Sequence, residues 1–72
     1  MPSKLPALSW RDVLKILNKS EFRQTGQTGS HIFLTDGKHK VTVPRHKEIK
    51  KGTLLSIISQ AGLTKEEFFN RI

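Results

Sequence analysis

The chain contains no cysteine in its 72 residues. Neither a disulfide framework nor a thiolate zinc site can staple it, so its stability must come from apolar packing, helped where needed by a partner. Long hydrophobic runs are missing too. The longest fall far below the roughly 20 residues that a membrane-spanning helix needs. The opening MPSKLPALSW has neither the apolar centre nor the cleavage site of a secretory signal, which makes a cytoplasmic protein the expectation. Repeats and low-complexity segments are absent. Acidic residues are scarce, six against thirteen lysines and arginines, for a formal charge of +7. That excess points towards polyanionic partners.

A chain this short buries only about 60% of its unfolded surface, enough for one modest core and no deep cleft. Residues 1–72 are therefore expected to form a single domain. The charge is also concentrated. Between Lys38 and Lys51 stand Lys38, Lys40, Arg45, Lys47, Lys50 and Lys51 with two histidines, against one acid, Glu48. Phosphate binding explains that density better than solubility does.

The first element is a helix. Ser9 is a natural cap with Asp12 reaching back, and Trp10, Val13, Leu14 and Leu17 form one apolar stripe, predicting a helix over 10–19. A short strand is expected over 22–26 and a stronger one over 30–35. Asp36-Gly37 is a hairpin signal, with the return strand over 38–43 stopped by Pro44, which cannot donate to a ladder. Leu54, Ile57, Ile58 and Ala61 then repeat the helical stripe, with Thr53 as its expected cap and Gly62 as its C-terminal stop. Thr64 and Glu67 form a capping box for a short last helix. The order α-β-β-β-α, plus a short C-terminal helix, predicts an α+β fold with both main helices on one face of a three-stranded antiparallel sheet.

A two-residue turn at Asp36-Gly37 fixes a register in which His31 faces Thr42, Ile32 faces Val41 and Phe33 faces Lys40. Opposed residues share a face. Ile32, Leu34, Val41 and Val43 then lie on the covered side. His31, Phe33, Thr35, Lys38, Lys40 and Thr42 lie on the open side, with Lys40 diagonal to His31. A first turn of Gln27, Thr28 and Gly29 would place Phe22 in the core opposite Leu34 and bring Arg23 out opposite Phe33.

This arrangement gives His31 a possible chemistry. Cationic neighbours favour its neutral, proton-accepting form. Gly29 and Ser30 before it allow close backbone approach by a ligand. Phe33 and Arg23 offer planar surfaces for a base. Such a face suits RNA cleavage without a metal: the substrate's 2′-hydroxyl is already the nucleophile, and a general base need only take its proton. His39 falls on the inward set near the hairpin end, where a structural role fits. His46, in the loop after Val-Pro-Arg, is a candidate second proton donor or phosphate ligand. A three-histidine metal site from His31, His39 and His46 fails because the first two point to opposite faces. Lys50, Lys51 and Gly52 precede a helix start, a place that favours anions. No Walker motif, Ser-His-Asp set or carboxylate pair is present.

The run GQTGSHIFLT followed by KVTVPRHKEIKKGTLLSIISQAGLTKEEF closely resembles the HicA toxins, small ribonucleases of bacterial and archaeal toxin–antitoxin pairs. The likeness covers nearly the whole chain, including LPALSWRDVLKIL. It is strongest at Gly29-Ser30-His31, at Val41-Thr42-Val43-Pro44 with His46, and at Gly52-Thr53-Leu54 leading to Ala61-Gly62-Leu63. The resemblance implies a double-stranded-RNA-binding-domain-like fold, translation-independent mRNA cleavage, His31 as the catalytic histidine, and a HicB antitoxin covering the active-site face. One departure stands out: where many relatives carry arginine, two residues before the x of x-Gly-Ser-His, this chain has Gly26.

Three functions follow as expectations. The first is an endoribonuclease toxin with His31 as general acid or base, Gly29, Ser30 and His46 supporting it, and Arg23, Phe33, Lys40, Arg45, Lys47, Lys50 and Lys51 holding RNA. It requires no metal, no small-molecule cofactor and no membrane; its partners are mRNA and the antitoxin. The second is a non-catalytic RNA-binding module using the same basic face. The third is a protein-interaction module for an acidic partner.

Overall fold

The computed structural model describes residues 7–71. Six elements follow in order: α1 (Trp10–Lys19), β1 (Arg23–Thr28), β2 (His31–Thr35), β3 (Lys40–Pro44), α2 (Lys51–Gln60) and α3 (Lys65–Phe69). The three strands form one antiparallel sheet in the order β1-β2-β3. The expected α+β architecture is thus present, with its short extra helix.

Local chemistry sets the helix ends. The Ser9 hydroxyl accepts from the Asp12 N–H at 3.2 Å while the Asp12 carboxylate accepts from the Ser9 N–H at 3.0 Å, a reciprocal capping box that satisfies two otherwise orphaned donors. Thr64 and Glu67 repeat it at α3. Two helices stop in the same way. Phe22 N–H reaches the Leu17 carbonyl and Glu21 N–H that of Asn18, just as Leu63 reaches Ile58 and Gly62 reaches Ser59. Both are Schellman closures, whose penultimate residue must be left-handed. α2 uses Gly62 there, φ +71°, whereas α1 uses Glu21, φ +70°, the only non-glycine residue with positive φ among those described.

The start of α2 differs from expectation. Lys50 is the N-cap, without a side-chain cap, and Thr53 lies inside the first turn. The chain reaches helical geometry early because residue 49 is already pinned: Ile49 is buried and its N–H donates to the Leu8 carbonyl at 2.7 Å. Residues 8 and 49 also form an isolated antiparallel bridge.

Among the described residues fifteen are buried and all are apolar, running from Leu8 through Phe68. Burying each large one contributes about 1.5–3 kcal/mol. The two long helices lean mainly on β3. At β3's outer edge the Gln60 side chain accepts from the Thr42 N–H at 3.1 Å, occupying a strand donor that would otherwise be open. β1 lies beyond the helical cover, and Gln24 and Gln27 are exposed although they face Leu34 and Ile32. No described helix is long and apolar enough to cross a membrane. Among the described residues none with a polar side chain is buried, so their groups capable of chemistry all have access to the surface.

The two hairpins depart from the expected registers. In the β2–β3 hairpin Thr35 pairs with Lys40, Leu34 with Val41, Phe33 with Thr42, Ile32 with Val43 and His31 with Pro44. The connection is four residues, Asp36 to His39, not two. A type I′ turn needs positive φ at both central residues, and Asp36 does not adopt it. Its carboxylate instead accepts from the N–H groups of Lys38 at 2.8 Å and His39 at 2.6 Å, building the wider loop. The slip is two residues, an even number, so the apolar set keeps to the covered face. The β1–β2 turn is shorter than expected, only Gly29 and Ser30, with Gly29 at φ +36°. A bulge between Gln24 and Gly26 absorbs the difference. Phe22 therefore reaches the core from outside β1, and Arg23 faces Thr35 instead of Phe33.

Candidate functional site

Strand alternation settles where His31 stands. Ile32 is 2% exposed and belongs to the core, so His31, next to it, projects to the open side with Phe33 and Thr35. Across the ladders that side also carries Arg23, Gly26 and Thr28 of β1 and Lys40, Thr42 and Pro44 of β3. The sheet turn Gly29-Ser30 delivers the imidazole at one end of this face. There the Ser30 Oγ lies 3.2 Å from His31 Nδ1.

The contact forms in either tautomer, with the Ser30 hydroxyl donating to Nδ1 or with Nδ1–H donating to the Ser30 oxygen; in the second arrangement Nε2 keeps its lone pair and can accept a proton. Arg45 completes this end of the sheet: its backbone N–H donates to the Ser30 carbonyl at 2.7 Å, one residue beyond Pro44, the cross-strand partner of His31. Gly29, Ser30, His31 and Arg45 therefore meet.

Lys40 does not join them. The two-residue slip sets it opposite Thr35, four residues along β3 from Pro44, roughly 13 Å at the usual rise of a strand. Arg23 faces Thr35 from the other side. The open face thus has two distinct ends, the His31 end, to which Arg45 is tied through its backbone, and the Arg23–Lys40 pair at the far hairpin. Phe33 lies between them, its ring within van der Waals reach of Gly26, where an added Cβ would stand 3.8 Å from Cδ2. A concavity of about 430 Å³ surrounds it, bounded by Thr25, Thr35, Lys40 and Thr42.

His39 is not on the inward face of a strand. It sits in the hairpin loop with Nδ1 3.1 Å from the Asp36 carboxylate, and its ring lies against Gly62. Those hydrogen bonds, from the His39 backbone first, then its ring, then the Lys38 backbone, hold the Asp36 carboxyl down to about 2. His46 is exposed; its carbonyl accepts from the Trp10 N–H at 3.1 Å, which ties the loop to α1. No hydrogen bond joins the rings of His46 and His31. Lys47 is exposed in the loop, and Lys50 and Lys51 mark the start of α2. Among the described residues no three His, Asp or Glu side chains gather as a metal-binding group.

Trp10 is the residue that sequence reasoning assigned too simply. It is only half-buried, and the guanidinium carbons of Arg45 and Arg11 stand 5.0 and 5.2 Å from its ring centroid. The clue was its place at the very start of the helical stripe.

The family described as "HicA toxin of bacterial toxin-antitoxin" matches this chain over residues 10–63, three-quarters of its length and the whole span from α1 to the end of α2. The chain belongs to the HicA toxin family. No individual curated protein matches it significantly. HicA membership makes it a toxin of a toxin–antitoxin pair, generally of ribonuclease type, and implies a cognate antitoxin as partner. The matched span contains Gly29, Ser30, His31, Arg45 and His46, the residues gathered at and around the histidine end of the sheet.

Proposed function

We propose that this HicA-family protein is a metal-independent endoribonuclease that cleaves mRNA with His31 as general base. The observation that carries the reading is the exposed imidazole on the uncovered sheet face, oriented by Ser30 at the Gly29-Ser30 turn. His31 Nε2 takes the proton of a ribose 2′-hydroxyl as that oxygen attacks the adjacent phosphorus. The bond to the 5′-oxygen breaks, and this oxygen leaves with a proton from water or from a second acid, for which His46 is the candidate. The products are a 2′,3′-cyclic phosphate and a free 5′-hydroxyl. No metal is needed because the nucleophile belongs to the substrate.

Arg45 supplies positive charge beside the reacting phosphate, and Arg23 with Lys40 holds a phosphate further along the strand. Phe33 offers a stacking surface between them. Lys47, Lys50 and Lys51 extend the cationic surface past the loop. The partner that silences the toxin is a HicB-type antitoxin, whose acidic or carbonyl-rich surface would cover this open face. Bacterial cytoplasm, where mRNA and antitoxin meet, is the corresponding location.

The test is cleavage of a single-stranded RNA by purified protein. His31→Ala should reduce the rate by about 10²–10⁴, the usual worth of general acid–base catalysis. A substrate with a 2′-deoxy sugar at the cut site should resist. Undiminished cutting by a folded His31→Ala protein would remove the histidine from the mechanism. RNA binding with no cleavage by the unaltered chain would leave a binding module.

A further inference from the structure

Trp10, Arg11 and Arg45 form one stack at the end of the molecule where His31 stands. The links are short and continuous. His31 faces Pro44 across the ladder, Arg45 follows and bonds to the Ser30 carbonyl at 2.7 Å, and the Arg45 guanidinium lies 5.0 Å from the Trp10 ring, with that of Arg11 at 5.2 Å. Trp10 is in turn held by its N–H bond to the His46 carbonyl.

Core packing accounts for only part of this cluster. Trp10 packs against the core yet stays half uncovered, and both arginines are exposed. Two guanidinium groups sharing one ring repel each other, and neither has an acidic partner among the described residues, where the only ion pair joins His39 to Asp36. Asp12, beside Arg11 in sequence, is occupied by the Ser9 N–H and hydroxyl. Indole faces attract and order guanidinium planes. Ordered arginines without a counter-ion are prepared for an anion, and their planar groups can also stack on unpaired bases.

We propose that Trp10, Arg11 and Arg45 form a second RNA subsite, which receives the single strand as it runs from the phosphate at His31 over the loop to the start of α1. This rests on the RNA-binding reading of the open face and extends it to residues on the helical side. Arg45 serves both places, whereas Arg11 and Trp10 act only in the second.

Trp10 is the sole tryptophan of the chain, so its emission reports on this subsite alone. The experiment uses the full chain carrying His31→Ala, to keep RNA intact, titrated with a fluorescein-labelled single-stranded oligoribonucleotide. Anisotropy of the label and emission of Trp10 should give one midpoint. Adding Arg11→Gln should weaken binding about three- to tenfold and flatten the salt dependence by about 0.7 in log–log slope, the value for one phosphate contact on a single strand. A thermal melt checks that the variant is folded. Binding seen by anisotropy with silent Trp10 emission and full affinity in Arg11→Gln overturns the subsite and leaves the nuclease reading standing. Conversely, a Trp10 response with no cleavage by the unaltered chain keeps the subsite and removes the nuclease. Should Arg11→Gln lose affinity only for an acidic antitoxin, the stack belongs to the protein partner and the proposal fails.

Discussion

The Ser30 hydroxyl oxygen lies 3.2 Å from Nδ1 of His31, its immediate neighbour in a two-residue turn. A single exposed hydrogen bond of this kind is worth about 0.5–1.5 kcal/mol, or roughly a two- to twelvefold change in rate. Ser30→Ala should therefore lower kcat of RNA cleavage within that range and alter the pH–rate profile, because the imidazole loses its hydrogen-bond partner at Nδ1. Binding of an uncut RNA should change little. A Ser30→Ala enzyme with unaltered kcat and profile would show that the contact does not orient the histidine.

Glu21 and Gly62 occupy the same left-handed position of two equivalent helix ends. Glutamate is strained there and glycine is not. Glu21→Gly should stabilise the fold by about 0.5–1 kcal/mol in a urea titration. Gly62→Ala should do the opposite, by about 1–2 kcal/mol, since it adds the same backbone strain. It also places a Cβ 2.5 Å from His39 Nε2. Introducing His39→Ala as well removes the collision but not the strain, so the double variant should recover only part of the loss.

Asp36 carries a carboxyl held down to about 2, first by the His39 N–H, then by the His39 ring and the Lys38 N–H. A carboxyl depressed by folding stabilises above its unfolded value, near 3.8, and that contribution disappears as pH falls towards 2. Asp12 and Glu67 are lowered too, each chiefly by the backbone N–H of its own capping residue, and act in the same direction. The protein should lose stability progressively between about pH 5 and pH 2. In Asp36→Ala the fall across this window should be shallower, and starting stability at neutral pH lower. Urea midpoints measured at stepped pH values read both.

Gly26 has no positive φ, and a Cβ there would meet only Phe33 Cδ2, at an ordinary contact distance of 3.8 Å. Gly26→Arg should fold normally and place a guanidinium on the open face beside Phe33. RNA affinity should rise a fewfold at low salt, with the log–log salt slope steeper by about 0.7. An arginine that left both unchanged would mean that RNA does not pass over the β1 side of the sheet.

The elements with strong local chemistry were legible in the chain alone. The boundaries of α1 match because Ser9 and Asp12 cap each other, and α3 begins where Thr64 and Glu67 do the same. The covered face of the sheet was legible for another reason: side chains alternate every residue, so a register wrong by two still sorts Ile32, Leu34, Val41 and Val43 together. That tolerance also hid the error. The same slip left His31 on the open face but exchanged its neighbours, removing Lys40 and bringing Pro44 and Arg45. Turn length was the weak point, because Asp36 satisfies the loop with its side chain, where a tight turn would have required positive φ.

Sequence by itself determined the kind of molecule: a small basic α+β domain whose apolar residues can cover only one side of a sheet, and whose histidine at position 31 must lie on the other. Period-two alternation and local capping need no distant partner, and so they are written in consecutive residues. Only the tertiary structure decided which part of β3 stands beside that histidine and that Trp10 gathers Arg11 and Arg45 at the same end. Those relations depend on how residues 8–10 dock against residues 45–49, a contact between segments more than thirty positions apart, fixed by two backbone hydrogen bonds and the burial of Leu8 and Ile49.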